Sequence, residues 1–199
     1  TGTGKTFAFG IPMIEHIDAE SDAVQGLILA PTRELAMQVS DELRKFSKYK
    51  EGLRVVTVYG GQNIDTQIRA LKRASVVVGT PGRVIDHLRR RTLKLMNIKL
   101  AILDEADEML DMGFKDDLDF ILAQTPDTKH TMLFSATMPD EVSRIASNYM
   151  HNPKEVTIGV RNSGSANVRH CYYLVQAKDR YLALKRIADY YPSIYAIIF

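Results

Sequence analysis

LAILDEAD, residues 100–107, passes directly from four apolar side chains into four positions of which three are acids. An unbroken apolar run of this length suits a strand covered on both faces, as in a parallel sheet. Asp104, Glu105 and Asp107 then stand where that strand finishes. Neighbouring carboxylates repel one another unless a cation or hydrogen bonds offset them. Acids favour a helix N-terminus by about 0.3–1 kcal/mol, which accounts for one or two of them on a surface helix. It does not account for an Asp-Glu pair set flush against a buried strand.

The same arrangement recurs on either side. LILA (27–30), VVV (76–78), MLF (132–134) and the more mixed RVVTVY (54–59) read as further strands. Each is followed by a polar cluster: PTREL (31–35), Gly60-Gly61, TPGR (80–83) and SAT (135–137). Between them, Leu35, Val39, Leu43 and Phe46 fall on one helical face, as do Val142, Ile145, Ala146, Tyr149 and Met150. Strand alternating with helix predicts an α/β domain with a doubly wound, mainly parallel sheet. In such sheets ligands bind at the carboxyl edge of the strands. Five polar clusters on one edge predict a binding face.

TGTGKT, residues 1–6, carries the last part of the phosphate-loop pattern G-x-x-x-x-G-K-[ST]. Thr1, Gly2, Thr3 and Gly4 would close backbone N–H groups around phosphate oxygens, and the helix start adds partial positive charge. Lys5 would reach the β- and γ-phosphates, and the Thr6 hydroxyl would bind Mg²⁺. Mg²⁺ prefers one or two carboxylates plus phosphate oxygens, a set that Asp104 and the loop could jointly supply. Glu105 would then orient or deprotonate an attacking water. These residues predict a nucleoside triphosphate–Mg²⁺ site. The loop starts without its supporting strand, so a cut at this end is expected.

Thr32 reads as the cap of the helix carrying Leu35 and Val39, and Thr80-Pro81 as a cap with its first turn. Those roles leave room for function. A helix start with free N–H groups, a hydroxyl and an arginine, Arg33 or Arg83, also attracts anions. With the exposed backbone of Gly60 and Gly61, the edge offers three anion sites besides the nucleotide's. Their spacing suits a sugar–phosphate chain or a second small ligand. Thr137 reads as a cap of the helix that follows it, and Ser135 as a hydrogen-bond partner of Asp107. Arg89, Arg90 and Arg91 read as a solvated helix end, and the methionines of 108–114 as packing. His87 and His151 have no partner spacing for a metal.

The chain has 199 residues, 45% hydrophobic and 25% charged, with a net charge of +2 and no tryptophan. So weak a net charge means that nucleic-acid binding must come from local arginines and lysines. A single cysteine, Cys171, excludes an internal disulfide, fits a reducing cytoplasm, and reads as a small buried side chain. No apolar run approaches the roughly 18 residues of a membrane span.

The alternating pattern stops near His151, and the first domain is expected to span residues 1–157. Residues 158–170 read as a polar linker. Residues 171–199 follow with an expected strand at 172–175, a helix at 178–190 and a strand at 195–199. About 30 residues cannot bury a core of their own, so a cut is expected at this end too.

TGTGKT, PTRELA, GG, TPGR, DEAD and SAT, in this order and at these separations, resemble the DEAD-box ATP-dependent RNA helicases. The resemblance implies a RecA-like domain over residues 1–157 and the start of a second one over 171–199. It implies ATP and Mg²⁺ as cofactors, with Lys5 and Asp104 serving catalysis beside Glu105 as the base. It implies RNA gripped by its backbone through Pro31, Thr32, Arg33, Glu34, Gly60, Gly61, Thr80, Pro81, Gly82 and Arg83. It further implies that Ser135, Ala136 and Thr137 couple hydrolysis to strand separation through Asp107, in a cytoplasmic monomer. The family's adenine-reading segment and arginine fingers would lie outside these residues, so the isolated chain should hydrolyse ATP poorly and unwind nothing. Two alternatives stay open: an ATP-gated RNA clamp, and a P-loop ATPase acting on DNA or protein.

Overall fold

Side-chain alternation along the strands decides the architecture. Leu27 and Leu29 turn to one face of the central sheet, while Ile28 and Ala30 turn to the other. Both faces are therefore apolar and both must be covered. A computed structural model describes residues 4–158 and 171–198. It divides into two units, residues 1–162 and 163–199.

In the first unit the strands are β1 (Gly26–Leu29), β2 (Val55–Val58), β3 (Val76–Gly79), β4 (Leu100–Leu103) and β5 (His130–Leu133). They form one sheet in the order β2-β3-β1-β4-β5, every neighbouring pair parallel. Helices α1 (Lys5–His16) and α2 (Arg33–Phe46) cover one face through Phe9, Met13, Val39 and Leu43. The other face is packed by α3 (Ile64–Leu71), α4 (Pro81–Arg89), α5 (Ala106–Asp111), α6 (Lys115–Leu122) and α7 (Asp140–Tyr149). Each fully buried Leu or Ile in these layers contributes about 1.5–3 kcal/mol. The strands at 27–30, 76–78 and 100–103 form where expected. The last strand runs from 130 to 133, so Phe134 follows it, and it is only half-buried because it is an edge.

β2 is the other edge. Its inward carbonyls, Arg54 and Val58, accept from Val76 and Thr80 of the β3 segment. The alternate carbonyls turn outward, where the Arg44 guanidinium donates to Val55 at 3.3 Å and the Gln67 amide to Tyr59 at 3.0 Å. At the end of β3, Gly79 is required. A Cβ there would lie 2.6 Å from the Val58 side chain and 2.9 Å from its carbonyl oxygen.

Thr32 caps α2 as expected, accepting from the Leu35 N–H at 3.3 Å. Pro81 opens α4, but the Thr80 side chain makes no capping bond. Among the described residues no helix is long and apolar enough to cross a membrane.

The second unit holds α8 (Arg180–Tyr190), preceded by a single 3₁₀ turn. Two sequence expectations fail there. Neither 172–175 nor 195–198 forms a strand, since two short strands without a third strand or a covering layer bury too little to hold together. Cys171 is exposed rather than buried. Phe199, and all of the expected linker except Ile158, lie outside the described residues.

Candidate functional site

All five strand-end clusters emerge on the carboxyl edge of the sheet because all five strands are parallel. At its centre α1 begins at Gly4, whose φ of 75° is the left-handed conformation that glycine adopts without strain. That turn aims Lys5 across the edge. Its Nζ lies 2.7 Å from Oε1 of Glu105, one hundred residues away, with both side chains about four-fifths buried. Thr6 follows in the same turn, half-buried. Thr1, Gly2 and Thr3 lie outside the described residues.

Glu105 itself occupies the left-handed region, φ 51° and ψ 54°, between β4 and α5. For a non-glycine residue that backbone costs on the order of 1–3 kcal/mol and persists only where its surroundings enforce it. Here the β4 ladder holds the residue before, with Asp104 N–H on the Leu29 carbonyl, and Phe134 holds the residue after through the Ala106 N–H. Asp104 is 6% exposed. Burial first, and then the Glu105 charge beside it, push its carboxyl above the ordinary range. The Lys5 charge and the Glu105 N–H, 3.1 Å from Oδ1, pull the other way by less. A buried carboxylate so placed gains from a cation. Among the described residues no three His, Cys, Asp or Glu side chains are grouped to hold a metal alone.

Beside this centre Asp107, in the first turn of α5, accepts twice on Oδ2 from Thr137, from its N–H at 2.8 Å and its hydroxyl at 2.7 Å. The Asp107 N–H donates to the Ser135 hydroxyl at 3.2 Å. Partial burial would raise the Asp107 carboxyl, but hydrogen bonding by the Thr137 and Ser135 hydroxyls, together with the Thr137 and Glu108 N–H groups, outweighs it and holds the carboxyl low. Thr137 was expected to cap the next helix. It turns to Asp107 instead, and α7 starts at Pro139 without a side-chain cap. The expected Ser135–Asp107 link is present, with the Asp107 main chain as donor. Ala136 is exposed between them.

The remaining clusters lie toward β2. The Arg33 guanidinium stacks 4.8 Å over the Tyr59 ring, joining the start of α2 to the end of β2. Gly60 and Gly61 follow, exposed, with Gly61 at φ 84°. Glu34 and Gly82 are exposed, Thr32 and Thr80 half-buried, and Pro31 and Pro81 buried. Arg83 has only 12% of its side chain exposed. It donates to the Gln62 carbonyl at 3.0 Å and to Gln67 Oε1 at 3.2 Å.

Gln67, Gln62, Tyr59 and His87 are the members of this site that the sequence reading passed over. A signal existed for Gln67: it stands four residues before Leu71, on the helical face that α3 buries. His87, read as having no metal partner, is fully buried and bonded to Gln67 and Thr92.

Comparison with known proteins agrees with this geometry. A family profile described as DEAD/DEAH box helicase matches residues 1–145. The chain is 47% identical over 200 aligned residues to the DEAD-box ATP-dependent RNA helicase CshA of Bacillus cereus, covering 100% of this chain and 38% of that protein. It is 50% identical to the ATP-dependent RNA helicase CshA of Listeria monocytogenes, with the same two coverages. The crystal structure of a DEAD box protein from the hyperthermophile Methanococcus jannaschii aligns with a TM-score of 0.74 at 45% identity, over 94% of this chain and 50% of that one. The chain thus spans well under half the length of these curated relatives. Its five-stranded parallel sheet is the RecA-like α/β fold of those neighbours. Six motifs in order, a matched profile over most of the residues and identity near one half make this chain a member of the DEAD/DEAH box helicase family.

Proposed function

We propose that this chain carries the ATP-binding part of an ATP-dependent RNA helicase, in which ATP hydrolysis drives local separation of RNA strands. The observation that carries the reading is the convergence of Lys5, Asp104 and Glu105 at one point of the carboxyl edge. The names of the relatives, ATP-dependent RNA helicases, support the same activity.

In this reading the loop from Thr1 to Thr6 cradles the phosphates with backbone N–H groups at the start of α1. Lys5 neutralises the β- and γ-phosphate oxygens. The Thr6 hydroxyl and the Asp104 carboxylate fit Mg²⁺, and the buried, raised carboxyl of Asp104 is the feature that favours a cation there. When bound, the ion neutralises charge developing on the phosphate oxygens. Glu105 takes a proton from the water whose oxygen attacks the γ-phosphorus, and ADP leaves. Pro31 to Glu34, Gly60, Gly61 and Thr80 to Arg83 hold the sugar–phosphate backbone of one RNA strand, which suits binding without base readout. Asp107, with Ser135 to Thr137, ties the hydrolysing strand end to the next one, so that hydrolysis changes the RNA grip. Residues 1–157 form the first RecA-like domain, 158–170 the linker and 171–199 the start of a second, in a cytoplasmic monomer.

The test is ATPase activity of the full-length protein with single-stranded RNA or DNA of one sequence. Stimulation by RNA that DNA does not reproduce is expected. Equal stimulation by DNA, or none by either, overturns the RNA assignment. Single-turnover duplex separation on the same protein distinguishes unwinding from an ATP-gated clamp.

A further inference from the structure

We propose that Gln67 is a positioning residue for RNA binding: from inside the fold it locks Arg83 and the Gly60-Gly61 loop into one anion-binding surface. The inference rests on the RNA reading above.

Gln67 is a polar side chain at 2% exposure, and all four of its hydrogen-bonding positions are used. Its nitrogen donates to the Tyr59 carbonyl at 3.0 Å and to Gln62 Oε1 at 2.8 Å. Its oxygen faces Arg83 Nη1 at 3.2 Å and His87 Nε2 at 3.0 Å. The amide orientation is fixed by chemistry. A guanidinium only donates and a backbone carbonyl only accepts, so the oxygen must face Arg83 and the nitrogen must face Tyr59. His87 Nε2 therefore carries a proton. The imidazole is pinned in turn by the Thr92 hydroxyl, 2.9 Å from Nδ1.

Tyr59 and Gln62 bracket Gly60 and Gly61, so one amide holds both ends of that loop. The same amide holds the arginine of the TPGR cluster, which also reaches the loop through the Gln62 carbonyl. A neutral partner matters here. An amide orients the guanidinium without cancelling its charge, whereas a carboxylate would neutralise the site that an anionic chain needs. The Arg83 Nε is buried with no hydrogen bond, 3.6 Å from the Asp86 carboxylate. That acid is exposed, so Gln67 is the inward anchor.

The experiment measures affinity of the full-length protein for a fluorescent oligouridylate of about ten nucleotides with a non-hydrolysable ATP analogue. Wild type is compared with Gln67→Leu, Arg83→Ala, the double variant and Gln67→Glu. Nucleotide affinity and melting temperature are measured alongside. Arg83→Ala is expected to weaken RNA binding about tenfold, the scale of one charge-assisted contact. Gln67→Leu is expected to weaken it roughly fivefold at unchanged nucleotide affinity, with the double variant losing less than the product of the two single effects, because part of the Gln67 effect runs through Arg83 and the rest through the Gly60-Gly61 loop. Gln67→Glu keeps an oxygen toward Arg83 and His87, remains folded, and still loses RNA affinity because it neutralises Arg83. A folded Gln67→Leu or Gln67→Glu protein with wild-type RNA affinity overturns the proposal, as do effects that multiply in the double variant. If Arg83→Ala leaves RNA affinity intact, the assignment of TPGR to RNA falls and this inference falls with it.

Discussion

Lys5 Nζ and Glu105 Oε1 are 2.7 Å apart, joining the first turn of α1 to the end of β4 across one hundred residues of chain. The contact joins the cation expected to meet phosphate to the carboxylate expected to meet water. In the proposed function a triphosphate that draws Lys5 to itself would compete directly with Glu105, making nucleotide arrival and release of the proposed base one event.

Glu105→Gln keeps the shape and removes the proposed base. Steady-state ATP hydrolysis by the full-length protein should fall about 10²- to 10⁴-fold, the usual range for general-base catalysis. Nucleotide titration should show ATP affinity kept or raised, because the amide holds the ammonium less tightly than the carboxylate. Turnover within a factor of a few of wild type would remove Glu105 from the base role.

Thr137→Val deletes the hydroxyl bond to Asp107 and keeps the backbone bond. The loss is about 1 kcal/mol, close to fivefold in a coupling equilibrium. RNA-stimulated ATPase should stay within about twofold of wild type while single-turnover duplex separation drops by roughly fivefold. Equal losses in both assays would mean that the pair serves hydrolysis itself.

His87 gives the stability of this domain a slope near neutral pH. Burial, and then the adjacent Arg83, lower its pKa, with Arg90 adding to this and Asp86 opposing it. The unfolded chain binds this proton near pH 6.5 and the folded one only at lower pH. The contribution is therefore complete above pH 6.5 and is lost as the pH falls toward the folded value. Urea midpoints should decline as the pH falls below about 6.5, and His87→Asn should flatten that decline.

Two glycines close in sequence should respond in opposite directions. Gly79→Ala drives a methyl into Val58 and its carbonyl, costing about 1–3 kcal/mol. Gly82→Ala meets nothing within 4 Å and lies in the first turn of α4, so it should be neutral or stabilising by up to about 1 kcal/mol. Urea unfolding of the two variants checks the pair.

The layers were legible because parallel strands must be apolar on both faces, and VVV and LAIL say so without ambiguity. The edge clusters were legible because polarity begins where each strand stops. What escaped were choices between partners. Thr137 had a helix to cap two residues on and an aspartate thirty residues back, and only the sheet order brings the second within reach. Gln67 shares a helical face with Leu71, but its partners, Arg83 and His87, come from α4, sixteen and twenty residues on. The strands expected in the second unit have suitable composition, but composition cannot supply the neighbour that a strand needs.

The capped border of β2 bears on how the molecule behaves in a crowded cell. With the Val55 and Tyr59 carbonyls already taken by Arg44 and Gln67, a stray peptide finds no continuous ladder to copy, and edge-to-edge stacking into fibrils loses its template. The amide that steadies the Gly60-Gly61 loop thereby also blunts this edge of the sheet.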